Sequence, residues 1–411
     1  MAYDYKGIEY MRRKLVKKRT RALKRYAFYE MKNVTLDLGI STPPALRAWS
    51  SALSWCANAV DLLADRMVFR EFKNDFLDMN GIYRENNPDV LFDSAILGAL
   101  ITSCDFIRIL YKEGGRPGLE VIDGTNATGE IDASTGLLRE GYAVLSRDDA
   151  KQPVIEAWFL PTETRYFERG CHYRTDPHPA GAPLLVPIIF QPDAQRPFGH
   201  SRISRACMAH AEGAIRTIKR SEISAEFYSF PQKWATGLAQ DAELSEKWQA
   251  SMSSFLMMTK DEDGESPKFG QFTQGSMEPH LAQLRMFAAL FAGATKLTLD
   301  DMGFPSDNPS SQEAIKAAHE NLILKAQKAQ RSFGSGFLNA GLLAASLRDD
   351  FTYSRDILGE VKPMWKPVFS YDAASLNALG DGIIKINQAV PGFITAETLY
   401  DMTGIEPGGG L

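Results

Sequence analysis

RPFGHSRISRACMAHAEGAIRTIKRSEISAEFYSFPQKWATG, Arg196–Gly237, is the stretch that decides the fold. Gly199 opens it and Pro231 closes it. Between them Ile203, Cys207, Ala211, Ala214, Ile218, Ala225 and Tyr228 recur mostly three or four residues apart, which puts them on one face of a helix. Alanines and Gly213 keep the helix slim, so another backbone can approach closely. Arg202, Arg205, Glu212, Arg216 and Lys219 repeat at the same spacing and make an opposite, mainly basic stripe. The segment carries no set of groups for a reaction; it reads as a helix that lines something.

A second delimited segment is DDMGFPSDNPSSQEAIKAAHENL, Asp300–Leu322, in which Ser310 and Glu313 have capping-box spacing directly after Asn308-Pro309. Ile315, Ala318, Leu322, Ala326, Ala329 and Phe333 continue an apolar stripe, and a helix persisting to Leu347 would be roughly 55 Å long. Gly334, Gly336 and Gly341 predict a bend in it. Upstream, Ser276 is a candidate N-cap for a helix with Pro279 in its first turn, a stripe of Leu281, Leu284, Ala288 and Phe291, and a stop at Gly293.

These two segments resemble the portal proteins of tailed double-stranded DNA bacteriophages, in the siphophage head-to-tail connector branch. There a GxSxI opening, an AxRT helix and an SAEFxSxPQ(R/K)xxxG ending mark the first stem helix and the start of the clip. The matching residues are Gly199, Ser201 and Ile203; Ala214, Arg216 and Thr217; and Ser224, Ala225, Glu226, Phe227, Ser229, Pro231, Gln232, Lys233 and Gly237. The second segment looks like the tunnel loop and the start of the long helix behind it, with His319 where the pattern carries Glu. The resemblance implies an α+β portal fold with a mixed α/β wing, a two-helix stem, a small α/β clip, a long kinked helix and a short C-terminal helical crown. It assigns 1–200 to the wing, 201–230 to the first stem helix, 231–275 to the clip and 276–295 to the second stem helix. The tunnel loop is then 296–310, the long helix and closing wing strand 311–370, and the crown 371–411.

The function implied is a structural ring of about twelve subunits at a capsid vertex, the channel for DNA packaging and ejection. Implied partners are double-stranded DNA in transit, the terminase large subunit, major capsid and scaffolding proteins, and a head-completion or adaptor protein. The implied place is the virion, after assembly in a bacterial cytoplasm. Lys296, Thr298, Asp300, Asp301, Ser306, Asp307 and Asn308 would be the tunnel-loop residues facing DNA, and Arg202, Arg205, Glu212, Arg216 and Lys219 the polar stripe, bridging subunits in preference to touching DNA. Two other readings stay open: a ring-forming virion protein without DNA passage, and a metal-dependent nuclease built on Asp300, Asp301 and Asp307.

Composition sets the outer bounds. The 411 residues, 44% hydrophobic and 24% charged, suit two or three folded domains. No run reaches the roughly 18–20 apolar residues of a membrane span, and the N-terminus has no apolar signal region, so the expectation is a cytoplasmic product with no membrane partner. Cys56, Cys104, Cys171 and Cys207 are scattered, which reads as buried small residues and not as a disulfide or zinc framework. A net charge of -5 argues against tight nucleic-acid holding but not against a conduit. The basic residues from Arg12 to Arg25 crowd a helix with an apolar stripe of Ile8, Met11, Leu15, Ala22 and Tyr26. That face either docks on the fold as an outer surface or contacts DNA or an acidic neighbour.

Leu53–Met67 and Pro88–Ser103 read as helices, with a short strand and turn over Val68, Phe69, Phe72 and Phe76 between them. From Phe106, the runs FIRILY, LEVIDG, GYAVLS, PVIEAWFL and ETRYFERG predict an antiparallel meander. His178–Pro197 reads as an extended connection, Ala242–Met257 as a helix, VKPMWKPVFSY as an edge strand, and Asp372–Gln388 and Thr395–Thr403 as closing helices.

No P-loop is present, and His319-Glu320 is not followed by the second histidine of a zinc site. His210 and Glu212 lie two apart on a helix and cannot share a metal. Gly334-Ser335-Gly336 lacks the strand a nucleophile elbow needs, and the acids around Asp261–Glu265 read as a solvated turn. The expectation is a non-enzyme with no cofactor.

Overall fold

The computed structural model describes residues 4–34, 51–112, 115–229, 233–236, 268–271, 275–305, 312–369 and 373–405. The chain divides into two compact units: Met1–Val34, Ala52–Ala211 and Ala288–Leu411 form the first, Thr35–Ser51 and Glu212–Phe287 the second.

The first unit opens with α1 (Ile8–Tyr29), which buries Met11, Leu15, Ala22 and Phe28. Its basic residues divide. Arg13, Lys17, Arg21 and Lys24 are exposed. Arg12 grips Glu156 with two bonds of 3.0 and 2.6 Å, and Lys14 reaches the Glu130 carboxylate at 2.7 Å. Lys18 donates to the carbonyls of Cys104 and Ala127 at 3.3 and 3.1 Å, and its burial pushes its pKa down. Arg25 donates to the Thr102 carbonyl at 2.7 Å. Half of this charged face therefore fastens the helix to the fold beneath it, where each inward cation meets a carboxylate or a carbonyl.

Next come α2 (Trp55–Ala64), β1 (Phe69–Lys73), α3 (Met79–Arg84) and α4 (Pro88–Thr102). Pro88 begins α4 at a position where its missing N–H costs nothing, and from Leu91 onward the helix buries most of its residues, as a core helix does. The strands follow: β2 (Cys104–Tyr111), β3 (Pro117–Ile122), β4 (Ala127–Ile131), β5 (Leu138–Arg147), β6 (Pro153–Phe159), β7 (Glu163–Glu168), β8 (Cys171–Pro177) and β9 (Leu185–Ile189). They build two antiparallel sheets, one in the order β4-β5-β6-β7-β8 and one in the order β3-β2-β9. The predicted meander divides between them: GYAVLS, PVIEAWFL and ETRYFERG become β5, β6 and β7 of the five-stranded sheet, with β4 and β8 added at its ends, whereas FIRILY and LEVIDG become β2 and β3 and pair in the three-stranded sheet. The prolines around β9 predict extended chain and no strand, yet Pro187 sits opposite Phe106 in an edge strand, where a missing N–H is tolerated.

α5 (Arg205–Ser229), β10 (Lys233–Thr236), β11 (Lys268–Gln271) and α6 (Glu278–Thr295) follow. Ser276 accepts from the Glu278 amide at 3.1 Å, as its reading as a cap requires. The stripe assigned to α6 holds only in its second half: Ala288 and Phe291 are fully buried, whereas Leu281 is 60% exposed.

The long helix differs from its prediction. It is broken at His319 into α7 (Gln312–Ala318) and α8 (Glu320–Arg348), and α8 then runs without interruption past all three glycines. Those glycines serve close packing: a Cβ would come within 2.6 Å of Pro363 at Gly334, 2.7 Å of Ile188 at Gly336 and 2.7 Å of Met79 at Gly341. β12 (Lys362–Trp365) pairs with β1, and Phe69, Phe92, Phe337 and Trp365 meet beneath them, with ring centroids 4.3 Å apart for Phe69–Phe92 and 4.7 Å for Phe92–Phe337. α9 (Ala373–Ala389) and α10 (Ala396–Thr403) close the chain, α10 capped by Thr395 accepting from the Thr398 amide at 3.2 Å. Among the described residues no helix is long and apolar enough to cross a membrane.

In the second unit β10 and β11 pair antiparallel. The parts of α5 and α6 that belong to it lie side by side. Thr217 Oγ1 donates to Gln283 Oε1 at 3.1 Å, Ser224 Oγ is 3.4 Å from His280 Nε2, and a Cβ on Gly213 would come 2.6 Å from the Phe287 ring. As residue numbers rise on one helix they fall on the other, so the pair is antiparallel and closes around Gly213. Predicted helix 242–257 and the connection at Leu38–Pro44 lie outside the described residues.

Candidate channel and subunit-interface site

Each residue of the GxSxI opening has a physical task. Gly199 has φ +71°, and a Cβ there would stand 2.1 Å from the Phe190 carbonyl oxygen. The His200 amide donates to that same oxygen at 2.9 Å. Ser201 Oγ donates to the Ile101 carbonyl at 2.6 Å, tying the turn to the C-terminal end of α4, and accepts from the Ile203 amide at 3.0 Å. Ser204 then caps α5 by accepting from the Cys207 amide at 3.2 Å.

The polar stripe needs one correction. Arg202 precedes α5 and is buried, 4% exposed, with Nε donating to the Ala59 carbonyl at 2.9 Å. Its direction is set by the turn and not by helical spacing. Its two terminal nitrogens are buried without a partner, and burial pushes its pKa down to about 10. Arg205 is exposed, while Glu212, Arg216 and Lys219 are half-buried. On the other face Cys207, Ala211, Ala214 and Thr217 are buried, as the small-residue reading requires, but Ala225 is exposed.

α6 passes Gly293 and stops at Thr295. Lys296 takes the left-handed conformation, φ +63°, and the Leu297 amide reaches back to the Ala292 carbonyl at 3.1 Å, a Schellman-type end with Leu297 buried beneath it. Asp301 accepts from the Thr298 amide at 2.8 Å and from Thr298 Oγ1 at 2.9 Å, and His319 Nε2 lies 3.3 Å from its carboxylate. A 3-10 turn, Asp300–Met302, ends at Gly303 with φ +87°. The base of the loop is thus clamped across to the α7–α8 break, with Lys296 and Asp300 exposed. Ser306, Asp307, Asn308 and the capping pair's Ser310 lie outside the described residues.

Sequence reasoning misses this clamp, although its signal is there. His319 replaces the Glu of the resembling pattern, and a carboxylate at that place would face Asp301. Asp301, one of the three carboxylates of the nuclease reading, is engaged by Thr298 and His319. Among the described residues no three His, Cys, Asp or Glu side chains come together to hold a metal.

Behind the loop, Lys325 is pushed down to about 8, first by burial and then by the charges of Arg202, Lys296 and Lys328. Its folded-state pKa lies below its unfolded one, so the penalty is fully present below about pH 8 and is relieved as pH rises from there toward 10.5. Lys325→Met should therefore stabilise the protein at pH 7, by about 1–2 kcal/mol after discounting for partial exposure. Urea unfolding at pH 7 and pH 10 checks this: the gain should shrink at the higher pH, and an equal gain at both would assign it to packing.

No protein-family model matches the chain. It is similar to the portal protein of Mycobacterium phage D29, 23% identical over 394 residues that cover 88% of this chain and 80% of the relative. It is also similar to the portal protein of Mycobacterium phage L5, 21% identical over 390 residues with the same coverage. Among solved structures it is similar to the neck of a native gene transfer agent particle computed with C12 symmetry, at TM-score 0.47, 16% identity and coverage of 86% of this chain and 90% of that one. The neck of the empty particle, computed with C6 symmetry, gives TM-score 0.49 and 15% identity over 90% of this chain and 95% of that one. The fold is α+β, and the likeness carried by two segments extends along most of the chain. The chain is similar to phage portal proteins.

Proposed function

We propose that this chain is the portal subunit of a tailed-phage-like particle, forming a ring at the capsid vertex through which DNA enters and leaves. The observation that carries the reading is the alignment with two portal proteins over 88% of the chain, with α5 inside the first of its two most specific segments and α6 between the two. In this reading the ring has about twelve subunits, α5 and α6 form the stem, and 231–275 forms the clip. Lys296–Pro309 is aimed at the DNA. Terminase docks on the ring during packaging, and the adaptor and tail proteins join it later. The chain itself carries no catalysis.

Arg205, Arg216 and Lys219 share one helical face with Glu212, the mixture a heterologous ring interface uses to bridge copies. Negative-stain imaging of the purified protein tests the function and this assignment together. Wild type should give rings with a central channel, fewer as salt is raised, because exposed pairs are screened. Reversing the three cations together to Glu should leave mostly monomers. Rings without a through-channel would favour a structural ring that passes no DNA. Normal rings from the reversed variant, with a packaging defect, would assign the stripe to DNA.

A further inference from the structure

Between α1 and strands β5 and β6 lies a groove of about 460 Å³ lined by Arg12, Arg19, Arg147 and Lys151 over Leu15 and Tyr142. Its single lining carboxylate, Glu156, is already committed: Arg12 holds both of its oxygens and Tyr142 donates to it. Arg147 is aimed by two neutral acceptors, Asn126 Oδ1 at 3.0 Å and the Lys151 carbonyl at 2.9 Å. Neither neutralises it, and burial together with the nearby Arg19 charge pushes its pKa down. Arg19 Nε is buried with no hydrogen-bond partner. Two partly desolvated guanidiniums that repel one another are costly unless an anion sits between them.

We propose that this groove binds a phosphate group, held by Arg19 and Arg147 with Lys151 closing from the β5–β6 turn. A tetrahedral phosphate offers acceptor oxygens in several directions at once, so it serves two separate guanidiniums; free phosphate as a dianion balances both charges, whereas a backbone phosphodiester, a monoanion, balances one and bridges the two by geometry. The volume exceeds that of a bare phosphate and lies in the range of small-ligand sites. The phosphate thus comes either free or as part of a larger molecule such as a nucleic-acid backbone. This site lies in the first unit and does not depend on ring formation.

The test is calorimetric titration of the full-length protein with inorganic phosphate, chloride holding the ionic strength constant. Saturable binding is expected, weakened about tenfold or more by Arg19→Gln and by Arg147→Gln. Arg13→Gln, exposed on the same helix, should bind as wild type. A fluorescent DNA duplex identifies the source: displacement by phosphate, with the same loss in both groove variants, means a backbone phosphate, and no displacement means a free one. Without phosphate, Arg19→Gln should melt no lower than wild type, since it removes repulsion; a merely structural arginine would give a lower melting temperature. No saturable phosphate binding, or groove variants that bind as wild type does, would overturn the proposal. Should Arg19→Gln be insoluble, Arg147→Gln and Lys151→Gln make the same distinction.

Discussion

Gly199→Val should lower the yield of soluble folded protein several-fold, and what remains should melt far below wild type. The left-handed backbone at Gly199 costs a residue with a Cβ about 1–2 kcal/mol, and more when that residue is β-branched. The larger penalty is positional. The added Cβ would sit 2.1 Å from a backbone oxygen, that of Phe190, which no side-chain rotation can move away. Relief requires the 190–200 bridge to open, which forfeits the hydrogen bond from the His200 amide to the same oxygen and shifts Ser201, Arg202 and the start of α5. Together these amount to about 3–5 kcal/mol, against a total stability of about 5–15 kcal/mol. Gly303→Ala is the control: its φ is +87°, but a Cβ there meets nothing within 4 Å, so the cost should be only the backbone preference, about 1 kcal/mol. Thermal melts of the two variants separate close approach from conformational strain. If Gly199→Val melted like Gly303→Ala, the opening glycine would be a turn residue and nothing more.

That contrast also marks what can be read without coordinates. Periodicity locates α1, α4, α5 and α6, and alternating runs locate most of the five-stranded meander, because those signals are local. Chain-end chemistry is harder. Gly293 has the look of a stop for α6, but the helix passes it and ends two residues later at Thr295, turned by Lys296, a residue whose left-handed conformation no composition rule favours. The three glycines of α8 suggest a bend because glycine weakens helices; their purpose is contact with Pro363, Ile188 and Met79, which only the assembled core defines. The true break is at His319, opposite Asp301. Arg202 shows the same limit at the candidate site. Helical spacing puts it on the exposed stripe, but that spacing does not extend through a turn fixed by hydrogen bonds to α4. The charges of α1 divide for a related reason: sequence shows that a helix is basic, and the carboxylates of Glu130 and Glu156 together with the carbonyls of Thr102, Cys104 and Ala127 decide which cations turn inward.

Removing Gly303–Asp307 should leave ring assembly intact while lowering packaged or retained DNA by an order of magnitude or more. The deletion spares both devices that insulate the flanking helices. On one side the Lys296 turn and the bond from the Leu297 amide to the Ala292 carbonyl end α6 independently of the chain beyond them. On the other, Asp301 stays fixed to Thr298 and beside His319. A deletion beginning at Thr298 would lose that clamp and confuse loop function with helix stability, so the shorter deletion is the sharper experiment. Contact with moving DNA must be independent of sequence, through phosphate charge and backbone shape, because bases that slide past cannot be read. The loss should therefore be equal for unrelated genomes of the same length. His319→Glu, made in the intact loop, offers a milder version of the same test: it places a carboxylate beside Asp301, should release the base of the loop, and should lower DNA retention more than ring yield. If the deletion abolished rings, while any capsids that did assemble filled normally, the loop would be an architectural element holding α6 to α8, and the DNA-facing role proposed for Lys296 and Asp300 would fall with it.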